Sequence, residues 1–133
     1  MIDLTEVVAA IQARLTGDAG IVAIVPAANI GNFLPQDVPY PHIFWQTKGD
    51  LLAVKDEVDW TITLQLDIYS DSKGSKECLQ IANLIENALE GIPLTIASGD
   101  CFGTNVQSFD AQLEPDGRIY RGIAVYQLLY GAN

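Results

Sequence analysis

DWTITLQLDIYSDSKGSKECLQIANLIENAL, residues 59–89, changes its hydrophobic period in the middle. From Val58 to Tyr69 apolar and polar residues alternate. Val58, Trp60, Ile62, Leu64, Leu66 and Ile68 form one set, and Asp59, Thr61, Thr63, Gln65, Asp67 and Tyr69 the other. A period of two sends the sets to opposite faces, which predicts a half-buried strand of an antiparallel sheet. Past Ser70 the period becomes helical, and Cys78, Ile81, Ala82, Ile85, Ala88 and Leu89 fall on one side. Asp71 and Ser72 offer an N-cap for a helix over 73–90, which Gly91 closes. A strand running through a polar cap into an amphipathic helix sets the fold class.

On the N-terminal side, Leu4, Val7, Val8, Ile11 and Leu15 make one helical stripe, predicting a helix over 4–16. Asp3 is its expected N-cap, with Glu6 as capping-box partner, and Gly17 the expected left-handed stop. Ile21 to Val25 adds one or two helical turns before Pro26. Pro26, Pro35, Pro39 and Pro41 make 26–41 an irregular, extended connection, since proline fixes φ and removes a donor. HIFWQT, residues 42–47, reads as a strand, and KGDLLAVKDE, residues 48–57, as a polar-ended loop.

On the C-terminal side, Ile92 to Ile96 reads as a short strand, and Cys101–Leu113 and Arg118–Tyr130 as two long ones. Glu114-Pro115-Asp116-Gly117 provides turn chemistry between them. Tyr120, Ala124, Tyr126, Leu128 and Tyr130 share one face of the last strand; Ile119, Ile123, Val125 and Leu129 share the other. A strand apolar on both faces is central, covered twice, or in contact with another subunit. The expected fold is α+β: one domain over residues 1–133, with an antiparallel or mixed sheet of about four to five strands. Two main helices pack largely on one face.

The 133 residues carry a formal net charge of −10 and a sequence pI of about 4.2. That balance argues against wrapping of nucleic acid, which needs clustered cations to displace phosphate counterions, and against binding an anionic membrane leaflet. The N-terminus lacks a basic stretch leading into an apolar core, and no apolar run approaches the roughly 20 residues of a membrane span. Cys78 and Cys101 are too far apart for a CxxC motif and read as free thiols serving as small buried hydrophobes.

No residue pattern carries catalysis. His42 is the one histidine in the sequence, so no His-based metal cage exists, and neither cysteine stands in a nucleophile motif. There is no GxGxxG or GxxxxGK[ST] phosphate loop; Asp71 to Lys76 is a polar helix start. Asp110, Glu114 and Asp116 lack the ordered spacing of a calcium loop and read as a solvated turn. No catalytic, cofactor or metal site is expected. The aromatics Phe44, Trp45, Trp60, Tyr69, Tyr120, Tyr126 and Tyr130 lie on strands, where they serve as core or as interface anchors. Tyr69, opposite the apolar face of its strand, is the candidate interface residue.

The order of segments resembles the tail completion or tail terminator family of siphovirus-type phages and gene transfer agents. The residues that carry the resemblance are Pro39-Tyr40-Pro41 within LPQDVPYPHIFWQT, the strand–cap–helix join from Val58 to Leu89, and the closing hairpin. It extends over nearly the whole chain. The resemblance implies a subunit of a homohexameric ring at the head–tail junction. Such a ring sits on the major tail tube protein, stops tube growth and docks to the head completion or connector protein. Double-stranded DNA passes through its lumen without specific binding, and no membrane is involved. In such rings loops and edge strands make the contacts, so the 48–57 loop is expected to order on assembly, with Leu51, Leu52 and Val54 as anchors beside Tyr69. Two other classes compete: a different interaction protein, either a capsid-side connector or an acidic inhibitor or immunity protein, and a small enzyme or ligand-binding domain. The last requires a deep polar pocket around His42 or a cysteine.

Overall fold

The computed structural model describes the backbone at residues 3–54, 57–90, 94 and 96–132, and the side chains there except those of 49–54, 57–60, 102–105 and 132. The chain runs α1 (Leu4–Thr16), α2 (Ala19–Ile24), a 3-10 turn (Ala27–Asn29), β1 (Ile30–Gly31), β2 (His42–Val54), β3 (Glu57–Ser70), α3 (Lys76–Leu89), β4 (Gly99–Leu113) and β5 (Tyr120–Ala132). The α+β expectation holds. The five strands form one mixed sheet in the order β1-β2-β3-β5-β4, parallel only between β1 and β2.

The alternation from Val58 to Tyr69 does what a period of two requires. Ile62, Leu64, Leu66 and Ile68 are buried under the helices. From β5, Ala124, Tyr126, Leu128 and Tyr130 join them. The helical stripe of α3 supplies Cys78, Ile81, Ala82, Ile85, Ala88 and Leu89 to the same core. Ile81 and Ile85 are wholly enclosed, each contributing about 1.5–3 kcal/mol before entropy costs. α1 adds Val7, Ile11 and Leu15, while Leu4 at its start is 39% exposed. Both cysteine thiols are buried, as small hydrophobes should be.

Several local expectations are corrected. β2 does not stop at Thr47: it continues to Val54 and pairs with β3 from His42↔Tyr69 to Val54↔Glu57, so the expected loop is a long β-hairpin. Residues 55 and 56 lie outside the described residues. Hydrogen bonding to the regular β3 strand overrides the polar, glycine-containing sequence KGD. α3 begins at Lys76, later than expected, with Ser75 at the N-cap position. Asp71 and Ser72 do not cap it. Instead Ser70 Oγ donates to Glu77 Oε1 at 2.7 Å and accepts from the Ser72 amide at 3.1 Å, so the turn is tied back to the strand. Gly74, at φ 79°, makes the reversal.

At α1, Asp3 caps as expected, accepting from the Thr5 amide at 2.9 Å. Glu6 does not complete a capping box; its carboxylate accepts from the Ser98 amide at 3.2 Å, linking the helix to the approach to β4. Gly17 stays right-handed (φ −87°), and its amide donates to Ala13 O; a Cβ there would meet that oxygen at 2.8 Å. The proline-rich connection contains the 3-10 turn and β1. It is held by Asn29 Nδ2 donating to the Pro39 and Pro41 carbonyls at 3.3 and 3.1 Å, and Tyr40–Pro41 is cis. Of the strand expected at 92–96, Ile96 makes one bridge to Gly99, while 91–93 and 95 lie outside the described residues. The turn after β4 closes as its sequence predicts: the Gly117 amide, at φ 73°, donates to Glu114 O, and the Glu114 amide to Ile119 O.

Candidate interaction surface

With the helices gathered on one side, the other face of the sheet carries Thr61, Thr63, Gln65, Asp67 and Tyr69 of β3 and their neighbours in register. His42 lies beside Tyr69 on β2, and Arg121 beside it on β5. Ile123, Val125 and Leu129 continue along β5 on this face, each partly exposed. The apolar residues on both sides of β5 therefore reflect a central strand whose second face has no helix over it among the described residues.

At one end of this face four planar groups stack in a ladder. Tyr40 and His42 have ring centroids 5.0 Å apart, His42 and Tyr69 are 4.9 Å apart, and Arg121 Cζ sits 5.8 Å from the Tyr69 ring. Arg121 Nη2 donates to Asp67 Oδ2 at 3.0 Å. Asp67 is buried at 4% exposure, so the guanidinium compensates a carboxylate removed from water. Burial tends to lower the Arg121 pKa, but the hydrogen bond and charge of Asp67 outweigh it and hold the cation more firmly. Burial lowers the His42 pKa, opposed by the Pro39 carbonyl 3.3 Å from Nδ1, so the imidazole stays neutral near neutral pH. Burial raises the Tyr69 phenol, partly offset by Arg121. The result is a rigid aromatic and arginine cluster, the chemistry favoured at protein contacts.

Beside the ladder an open cleft of about 610 Å³ is lined by Tyr40, Lys73, Gly74, Leu113, Arg118 and Tyr120 among others. Tyr40 and Leu113 are 42% and 50% exposed. Neither His42 nor a cysteine lines this cleft. Among the described residues no group of three or more His, Cys, Asp or Glu could hold a metal ion. Asp116, expected in a solvated turn, accepts from the Arg118 and Ile119 amides at 2.9 and 3.1 Å, which holds its carboxyl below the usual range.

Tyr69 thus sits in the ladder on the helix-free face. Leu51, Leu52 and Val54 are placed by register only, opposite Trp60, Asp59 and Glu57; their side chains lie outside the described ones. Tyr40, His42 and Arg121 were not singled out as a set by the sequence. The signal that unites them is cross-strand register, which no single strand reveals.

The family model described as tail completion protein gp17 matches residues 9–131. The chain belongs to that family. Its fold is similar to that of a chain in the virion of a native gene transfer agent particle, at 15% identity over 97% of each chain, with a TM-score of 0.86. At that identity the likeness is one of fold. No curated protein matches the chain in sequence.

Proposed function

We propose that this chain is a structural, non-catalytic protein of a tailed phage or gene transfer agent. In this reading it assembles as a homohexameric ring at the head–tail junction, caps the tail tube, ends its polymerisation and joins tail to head. Double-stranded DNA passes through the lumen. The observation that carries the reading is the match to the tail completion family over residues 9–131, supported by the fold likeness to a gene transfer agent virion chain. The partners proposed are further copies of the chain, the major tail tube protein and the head completion protein. The negative balance suits a channel, because like charge keeps DNA from adhering. Leu51, Leu52, Val54 and Tyr69 are proposed contact residues. A triple polar substitution of the first three is expected to release tails from heads, and intact attachment would remove the hairpin from the interface.

The deciding experiment deletes the gene from its particle-producing host and images the lysate by negative-stain electron microscopy. Tailless heads beside tubes of uncontrolled length are the expected result. Normal-length tails separate from full heads would restrict the role to joining. Normal particles would overturn the proposal and bring forward an acidic inhibitor or a small enzyme.

A further inference from the structure

We infer that the two outer edges of the sheet are one interface: β4 of each copy pairs antiparallel with β2 of the next, so that a continuous sheet runs around the assembly. The inference rests on the ring reading and specifies the contact that builds the ring.

Both edges are open. β1 covers β2 only at Ile43 and Phe44, leaving Trp45 to Val54 with no strand beyond it among the described residues. β4 is the last strand on the other side: after Gly99, whose amide and carbonyl pair with Ile96, no strand lies beyond it up to Leu113 among the described residues. Consecutive strand residues point to opposite faces, so a run exposed at every position is covered on neither. Gln46, Thr47 and Lys48 form such a run on β2, and Val106, Gln107 and Ser108 on β4. Val106 is 47% exposed although its register partner Tyr126 is buried. Open edges of this length present rows of unpaired amides and carbonyls, which folded proteins either defend or use.

Strand polarity selects the pairing. The four long strands alternate in direction: β2 and β5 run one way, β3 and β4 the other. Because their number is even, the strand that extends the sheet past β4 must run as β2 runs. A copy related by rotation, without inversion, places β2 there with its helices on the same side. Repeated with a rotation that closes, as the ring reading requires, this head-to-tail contact leaves neither long edge open. A two-fold β4–β4 contact would also be antiparallel but would leave the β2 edges open. The register shifts in β4 at Cys101/Gly103 and Val106/Ser108 add the local bend and twist that closing a sheet requires.

Charge sets an approximate register. Lys48 on β2 and Asp110 on β4 both lie on the helix-free face, opposite Thr63 and Ile123 respectively, and both are exposed. Pairing them across the contact brings opposite charges together on one face. It also sets Gln46 near Gln112.

The test uses assembled particles carrying cysteine variants, treated with a short bifunctional thiol reagent and run on a denaturing gel. Gln46→Cys with Gln112→Cys is expected to give a ladder from dimer upward. Each single variant is expected to stay monomeric. Gln46→Cys with Leu113→Cys, which lies on the opposite face, is expected to give no ladder. Single variants that link to dimers would overturn the inference in favour of like-edge pairing. A monomeric double variant, in particles where an amine-reactive fixative links the same chain into higher oligomers, would overturn the edge contact and leave the ring standing. Absence of the wild-type chain from particles would overturn both. A second set covers a cysteine variant that fails to incorporate. Lys48→Glu is expected to lower incorporation at least tenfold, and adding Asp110→Lys is expected to restore it. No loss, or loss without restoration, counts against the contact.

Discussion

Gln12 shows how one polar side chain fixes a helix to a sheet. Its Nε2 donates to the Ile30 carbonyl at 2.8 Å, and its Oε1 accepts from Trp45 Nε1 at 2.8 Å, where the indole is 1% exposed. Gln12→Leu would keep the volume and leave both partners unsatisfied in the interior, a loss of about 1–3 kcal/mol. The expected result is a lower denaturation midpoint with an unchanged urea slope; an unchanged midpoint would show that water replaces the amide. The sequence places Gln12 beside the apolar stripe of α1 but does not reveal this role, because both partners are distant in the chain. Tyr126 gives a second residue-level prediction. Burial, then the negative charges of Glu86 and Glu90, push its phenol up to about 12 from an unfolded value near 10. The sign follows from linkage: the folded state prefers the neutral phenol, so its contribution is complete below pH 10 and is lost as pH rises through 12. At about 1.4 kcal/mol per unit, the loss across that window is on the order of 2 kcal/mol. Tyr126→Phe should therefore flatten the fall of stability between pH 10 and 12, measured by urea unfolding at each pH. Tyr130, raised in the same direction and donating to Leu94 O at 3.0 Å, accounts for a remaining slope.

At the scale of elements, α3 and β3 were the most legible parts of the sequence because each has one buried face and a pure period. Their residues carry no competing signal: Ile81 and Ile85 face the core and Gln80 and Asn83 face water. Ile85→Asp would place a carboxylate where nothing pairs with it. The chain is expected to lose its cooperative thermal transition in circular dichroism, and a preserved transition would show that α3 is not packed as described. The junction between these two elements was less legible. Asp71 and Ser72 have cap chemistry, but Ser70 and Glu77 form the hydrogen bond that fixes the turn, and α3 begins only at Lys76. The second half of β2 reads as a loop in sequence because Lys48, Gly49 and Asp50 have low strand propensity. Its register against β3 is an interaction between two segments, which a window along one segment does not contain. The aromatic and arginine ladder was hidden for the same reason: Tyr69 alone was legible, and its neighbours His42 and Arg121 come from other strands.

Taken as a whole molecule, the chain combines a strongly negative total with an uneven placement of its cations. Lys73 and Arg118 both line the cleft near the sheet end where Arg121 stacks on Tyr69, while Asp71 lines the same cleft and Asp67 pairs with Arg121. Among the described residues these three cations therefore stand next to acids and give no uninterrupted basic stripe of the kind that releases phosphate counterions. On the proposed closed sheet the helix-free face contributes Thr63, Gln65 and Gln127 beside the apolar Ile123, Val125 and Leu129, with Lys48 set against Asp110 and Arg121 against Asp67. Such a surface offers DNA only cations already compensated by carboxylates, which suits passage through a channel without specific binding. The expected outcome is that linear double-stranded DNA migrates unshifted with the purified protein even at about 20 mM salt, where screening of electrostatic attraction is weak. A shift that weakens steeply with added salt would show that the assembled ring gathers Lys73, Lys76 and Arg118 of successive copies into a basic belt. DNA would then be gripped at the sheet ends, and the passive-channel reading would give way to one in which the protein holds DNA in the finished particle.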